Sequence, residues 1–157
     1  MAIQEQDLKK QTGGLQQALN EQLANWSVIY MKLHHVHWYV KGPHFQALHG
    51  KFEELYDMAA DKLDELAERM LAIGMQPAST MKEYLELAAI READLRGEKD
   101  TAMVQSVAAD FQKMIEGSKQ AVKLAEQSDD AATADIVTGH LEDLQKQVWM
   151  LNAILGK

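Results

Sequence analysis

The chain has 157 residues, 46% of them hydrophobic and only two of them proline, which points to one helical domain with a sizeable core rather than a disordered chain. There is no cysteine, so disulfides and thiolate metal sites are excluded, and any metal must be held by His, carboxylate or water. Acidic residues outnumber basic ones 24 to 16, a formal net charge of -8, and Lys9 and Lys10 are offset by Glu5 and Asp7; direct, salt-sensitive DNA binding is therefore disfavoured.

A single domain over residues 1–157 is expected, with residues 1–7 as a short polar N-terminal tail. Residues 1–14 carry no apolar run suited to a secretory signal. No segment approaches the roughly 20 consecutive apolar residues of a spanning helix. A soluble cytoplasmic protein is the expectation.

Apolar spacing predicts four long helices. The first runs from about Leu8 to Val40, with Leu19, Leu23, Trp26, Tyr30, Leu33, His37 and Val40 alternately three and four residues apart. Gly42-Pro43 breaks it, and the second helix is expected from about Pro43 to Ile73. At about 100° per residue, Phe45, Leu48, Phe52, Leu55, Ala59, Leu63, Leu66 and Met70 form one core stripe about 80° wide. A linker follows, with a short helix around Met81 to Ile90 and a turn near Gly97.

The third long helix is expected over about Asp100 to Gln127, its core face marked by Val104, Val107, Phe111, Met114 and Val122, with Gly117 a tolerated weak point. The fourth spans about Ala131 to Leu155, with Val137, Leu141, Leu144, Val148, Leu151 and Leu155 on a near-heptad seam. No strand or hairpin pattern appears. Helices of this length, each about 40 Å long, make an all-α four-helix bundle. The second connection is long enough to cross the bundle, which favours a ferritin-like topology.

Five of the six histidines fall between Leu33 and Gly50, at positions 34, 35, 37, 44 and 49. Taken alone, a His such as His37 on an apolar stripe is more often a core residue than a ligand. The second helix changes that balance. His49 and Glu53 are four apart, as are Asp64 and Glu68, and such pairs project from one face. With His49 at 0°, Glu53 falls at about 40°, Asp64 at about 60° and Glu68 at about 100°, beside the core stripe. Glu54 and Glu65 point elsewhere, as residues of a solvated face would.

Glu53 and Asp64 lie 11 residues apart, roughly 16 Å along a straight helix, so the two pairs cannot grip one ion within one chain. Two copies of the helix packed antiparallel about a dyad can bring His49 and Glu53 of one chain against Asp64 and Glu68 of the other. The midpoint of the pairs falls between Met58 and Ala59, and Ala60 near the crossing is small enough for close approach. His37 can reach in from the first helix. Two imidazoles with three carboxylates suit iron(II), whose oxidation anionic oxygen ligands favour. No His has Glu three residues before it, so the intrasubunit Glu-x-x-His di-iron site is absent. HExxH is absent too, which removes the common metalloprotease reading.

The run LHHVHWYVKGPHFQALHGKFEELYDMAADKLDELAERMLAIG, residues 33–74, resembles the signature region of the Dps mini-ferritins, and DDAATADIVTGHLEDLQKQVWMLNAIL resembles their last helix. The resemblance implies a ferritin-like four-helix bundle with a short extra helix between the second and third helices. It also implies a ferroxidase that oxidises Fe(II) to Fe(III), preferably with hydrogen peroxide, and stores ferric mineral in a dodecameric cage, protecting against oxidative stress. By matching position, His37, Asp64 and Glu68 would be ligands from one subunit, and His49 and Glu53 ligands from the two-fold partner. Two iron ions at each shared site and no haem are implied. Glu53 stands where many members have Asp. Trp38 matches a Trp beside the site thought to be oxidised or to relay an electron. Asp130 and Asp135 resemble carboxylates of the three-fold pore; helix N-terminal charge complementing the dipole is their simpler role. DNA-binding members usually carry a Lys-rich tail, which this chain lacks. The rival reading is a nucleoid-associated, DNA-compacting protein in which iron oxidation is secondary.

Overall fold

The computed structural model describes the backbone of residues 2–157 and the side chains of residues 13–157. The expected tail over residues 1–7 lies outside the residues whose side chains are described. The chain forms α1 (Ala2–Tyr39), α2 (Phe45–Ala72), α3 (Met81–Leu87), α4 (Asp100–Gln127) and α5 (Ala131–Ile154), with no strand among the described residues. The boundaries of the last two long helices fall within a residue of those read from apolar spacing.

Two contacts fix the topology. The His44 Nδ1–H, in the α1–α2 turn, donates to Asp100 Oδ2 at 3.1 Å, so α4 begins at the end of the bundle where α2 begins. Arg69 near the end of α2 donates to Asp130 at the start of α5, at 3.0 Å. Hence α2 and α4 run parallel, each antiparallel to the helix it follows or precedes across a short turn. The connection over residues 73–99 must travel back along the bundle, as in ferritin-like folds.

That crossover carries backbone amides that need partners, and polar side chains of α1 supply them. Asn20 Oδ1 accepts from the Ala78 N–H, Asn25 Oδ1 from the Ala89 N–H and His35 Nε2 from the Leu95 N–H, at 2.8, 2.8 and 2.9 Å. Within the crossover, α3 is started by a reciprocal Thr80–Glu83 capping box.

The core combines Leu19, Leu23, Trp26 and Leu33 of α1 with Phe52, Leu55, Leu66 and Met70 of α2 and Phe111 of α4, all fully buried. The stripe on α2 holds with one correction. Phe45 is 40% exposed rather than buried, because α2 begins only at Phe45. Gly42, at φ 114°, turns the chain. Its carbonyl accepts from the Phe45 N–H at 3.1 Å, so Pro43 sits in the turn and Phe45 at the bundle rim.

Candidate metal centre

α1 and α2 bring His37 and His49 together at the turn end of the bundle. Their rings stack with centroids 3.6 Å apart and planes 15° from parallel. Each ring is held by the other residue's backbone. His37 Nδ1–H donates to the His49 carbonyl at 2.7 Å, and His49 Nδ1–H donates to the His37 carbonyl at 2.8 Å. A carbonyl oxygen can only accept, so each Nδ1 carries a proton, and in the neutral ring Nε2 is then the nitrogen with the lone pair. A hydrogen bond from the far ring nitrogen to a carbonyl fixes a metal-binding imidazole in the same way, setting tautomer and ring orientation together. The His37 carbonyl is available because α1 ends two residues later, where the last carbonyls of a helix lack intrahelical partners.

Glu53 lies one turn beyond His49 and is exposed, as are Asp64 and Glu68 farther along α2. Among the described residues, no three His, Asp or Glu side chains of one chain gather closely enough to hold a metal ion. The resemblance groups His37 with Asp64 and Glu68 of its own subunit; in the structure the His37 ring lies against His49 of its own chain, and Asp64 is 15 residues beyond His49, about 22 Å along the helix.

The surroundings also differ in character on the two sides of α2. Glu54 is drawn off by Lys51 at 3.1 Å, and Glu65 lies 3.5 Å from His140 Nε2, which accounts for the two carboxylates set aside above. Beside the stacked histidines, Trp38 is 61% exposed and Phe45 is 40% exposed, an apolar rim around an acidic helix face. Ala60 is half-buried midway along the same face.

Tyr56 and His34 were not singled out from the sequence, though Tyr56 stands one turn beyond Glu53 and His34 one turn before His37. Tyr56 is T-shaped to His37, with centroids 5.2 Å apart, and stacks on His34 at 3.8 Å. Partial burial and the nearby Glu53 and Asp57 carboxylates push its phenol above the usual range. The sixth histidine, His140, is buried on α5 against the Trp26 ring, with Glu65 as the acidic neighbour of its Nε2.

Of the two suggested pore carboxylates, Asp135 is exposed. Asp130 is engaged within its own chain: it caps α5 through the Thr133 N–H at 3.0 Å, accepts from the Thr133 hydroxyl, and pairs with Arg69. Burial would raise its carboxyl, but the Thr133 and Arg69 bonds outweigh burial and hold it below the usual carboxylate range.

Comparison with known proteins identifies the family. Residues 16–157 match the family model for the ferritin-like domain. A Bacillus anthracis protein named DNA protection during starvation protein 2 is 48% identical over 141 residues, covering 90% of this chain and 96% of its own. The crystal structure of a Dps protein from Bacillus brevis superposes with a TM-score of 0.87 at 48% identity, over 90% of this chain and 94% of that one. The chain belongs to the Dps family. A second Dps structure, from Vibrio cholerae, is 34% identical with a TM-score of 0.88 over 93% of this chain and 91% of its own, and is described as a member of a broad superfamily of ferritin-like diiron-carboxylate proteins. Like those folds, this Dps chain is a helical bundle with a short extra helix, α3, in its crossover. No helix among its described residues is long and apolar enough to cross a membrane.

Proposed function

We propose that this Dps protein is a ferroxidase whose substrate, iron(II), binds between two α2 helices related by a dyad. His37, His49 and Glu53 of one chain face Asp64 and Glu68 of its partner, giving two such sites per dimer and room for two ions at each. The observation that carries the reading is the reciprocal histidine clasp. It leaves two Nε2 lone pairs fixed in place at the edge of an exposed carboxylate row. A solvated acidic face has no need of locked imidazoles, whereas a metal site that must present unprotonated nitrogen does. The exposed Trp38 and Phe45 beside the clasp supply apolar surface for a partner chain to cover.

Chemistry follows from the donor set. Three carboxylates and two imidazoles favour iron(III) over iron(II), lowering the cost of electron loss. With hydrogen peroxide as preferred oxidant, two iron(II) give up one electron each, the O–O bond breaks, and two protons complete two waters. No hydroxyl radical is released. The iron(III) is then stored as ferric mineral within a dodecameric, cytoplasmic cage. Asp135, exposed and unengaged by the cap that occupies Asp130, is the better placed of the two carboxylates to guide iron inward.

Protection of DNA, which the Bacillus anthracis relative's name describes, comes to this chain through removal of iron(II) and peroxide. At a net charge of -8 it does not require contact with phosphates. Stopped-flow absorbance after mixing iron(II), peroxide and protein tests the reading. Rapid oxidation is expected in the native protein and loss of it in His37→Gly/His49→Gly with assembly intact; unchanged kinetics in that variant would refute the site. A gel-shift titration at physiological salt should show no DNA complex.

A further inference from the structure

The far end of α2 carries a leucine that its own chain leaves uncovered. Leu71 is 62% exposed. At about 100° per residue, with His49 at 0°, it falls at about 40° around the helix, in line with Glu53. It therefore belongs to the face of the candidate iron ligands and not to the core stripe. At the opposite end of α2, Phe45 is 40% exposed, and its ring stacks on His49 with centroids 4.9 Å apart and planes 27° from parallel. Phe45, His49 and His37 thus form a run of three rings.

The dyad that sets His49 and Glu53 against Asp64 and Glu68 passes between Met58 and Ala59. Phe45 lies about 20 Å before that point along α2, and Leu71 about 19 Å beyond it. A two-fold rotation therefore brings Leu71 of one chain to the level of Phe45 of the other, at both ends of the pair. The same rotation opposes Glu53, Asp57, Asp64 and Glu68, all exposed, to their counterparts. The basic residues of α2 do not relieve this, since Lys51, Lys62 and Arg69 fall at about 200° to 220° around the helix and pair with Glu54, Asp143 and Asp130. Without metal the two acidic rows repel, so attraction has to come from apolar contact elsewhere on the face.

We propose that Leu71 of each chain seats on Phe45 of its dyad partner, against the ring that backs His49, and so holds two acidic α2 faces together before iron binds. This inference takes the position of the dyad from the ferroxidase reading. The simpler explanation is a lone surface leucine, which is common and requires no particular neighbour.

Because the chain has no cysteine, introduced thiols report alone. Metal-free Phe45→Cys/Leu71→Cys protein is treated with a short bis-maleimide and run on a denaturing gel. Within one chain the two thiols are about 39 Å apart, beyond the reagent's span. Reciprocal contacts join the same two chains twice, so the product should stop at a covalent dimer. Phe45→Cys or Leu71→Cys alone should give no dimer. No cross-link in the double variant overturns the contact, and so does a ladder of higher products, which marks a head-to-tail neighbour.

Leu71→Glu adds a carboxylate at an exposed position, so its helix content by circular dichroism should match the native protein. In sedimentation of metal-free protein it should dissociate at concentrations where the native protein and Leu71→Met stay assembled. Equal assembly of Leu71→Glu overturns the holding role. Iron(II) oxidation by the native protein is recorded in parallel. Oxidation without the cross-link removes the contact and leaves the ferroxidase reading standing; the cross-link without oxidation does the reverse.

Discussion

Lys32 and Asp110 join α1 to α4 inside the bundle, 2.5 Å apart, with side-chain exposures of only 5% and 9%. At an effective dielectric of about 20, the attraction at that separation is about 7 kcal/mol. Each ion gave up several kcal/mol of hydration to be buried, so the pair as a whole is close to neutral for stability. Breaking it is another matter. Lys32→Met keeps the apolar stem but strands the Asp110 carboxylate, and a loss of about 3–5 kcal/mol is expected. For a chain of this length that corresponds to roughly 6–20 °C in Tm. Lys32→Met/Asp110→Leu removes both charges and should recover to within about 1 kcal/mol of the native protein, or exceed it. Urea unfolding at one fixed protein concentration measures this, the fixed concentration being needed because assembly contributes to apparent stability. A cost below about 1 kcal/mol for Lys32→Met, with no recovery in the double variant, would show that water or another group satisfies Asp110 and that the reasoning fails.

Gly117 has the Gln22 side chain laid over it; an added Cβ would come within 2.2 Å of Gln22 Nε2, and Gln22 is itself 2% exposed and bonded to Ser118. Gly117→Ala should therefore cost about 1–3 kcal/mol in a urea melt rather than stabilise α4, reversing the helix-propensity expectation. Asp130→Ala removes the α5 cap and the Arg69 partner together, and a loss of about 1–2 kcal/mol by thermal melt is expected. His140 is held below the usual imidazole range, first by burial and then by the Lys62 ammonium, against the opposing Glu65 carboxylate. Its unfolded form takes up a proton below about pH 6.5, before the folded form does, so this residue makes stability fall as pH drops below that value and level off once the buried ring also protonates. His140→Gln should flatten the stability profile between about pH 7 and pH 5; an unchanged slope would show that the ring does not titrate differently on folding.

Much of the fold was legible because four long helices with apolar faces announce themselves by spacing alone. Val104, Val107 and Phe111 could face only one way, and Ser128-Asp129-Asp130 could only be a turn. Phe45 was misread because periodicity says which face a residue occupies but not how far the neighbouring helices extend to cover it. The site was legible as a pattern on α2, where His49, Glu53, Asp64 and Glu68 share one edge. The placement of His37 against His49 was not, because the position of His37 along α2 depends on how α1 and α2 dock. That docking appears only in the stacked rings and their reciprocal carbonyl bonds. Tyr56 was hidden for a related reason. A half-buried Tyr beside an acidic residue is ordinary in sequence, and its contact with His34 crosses between helices.

The central claim is that the iron site is assembled from two chains, with both histidines on one side of the dyad. Co-expressing His37→Gly/His49→Gly with Asp64→Asn/Glu68→Gln tests it most directly, since a mixed dimer would then contain one intact site made of the histidine side of one chain and the carboxylate side of the other. Each variant alone should be inactive, and the random mixture should regain about a quarter of the native sites by iron(II) titration. If the mixture recovers nothing although mixed dimers are present, the site is not shared in this way.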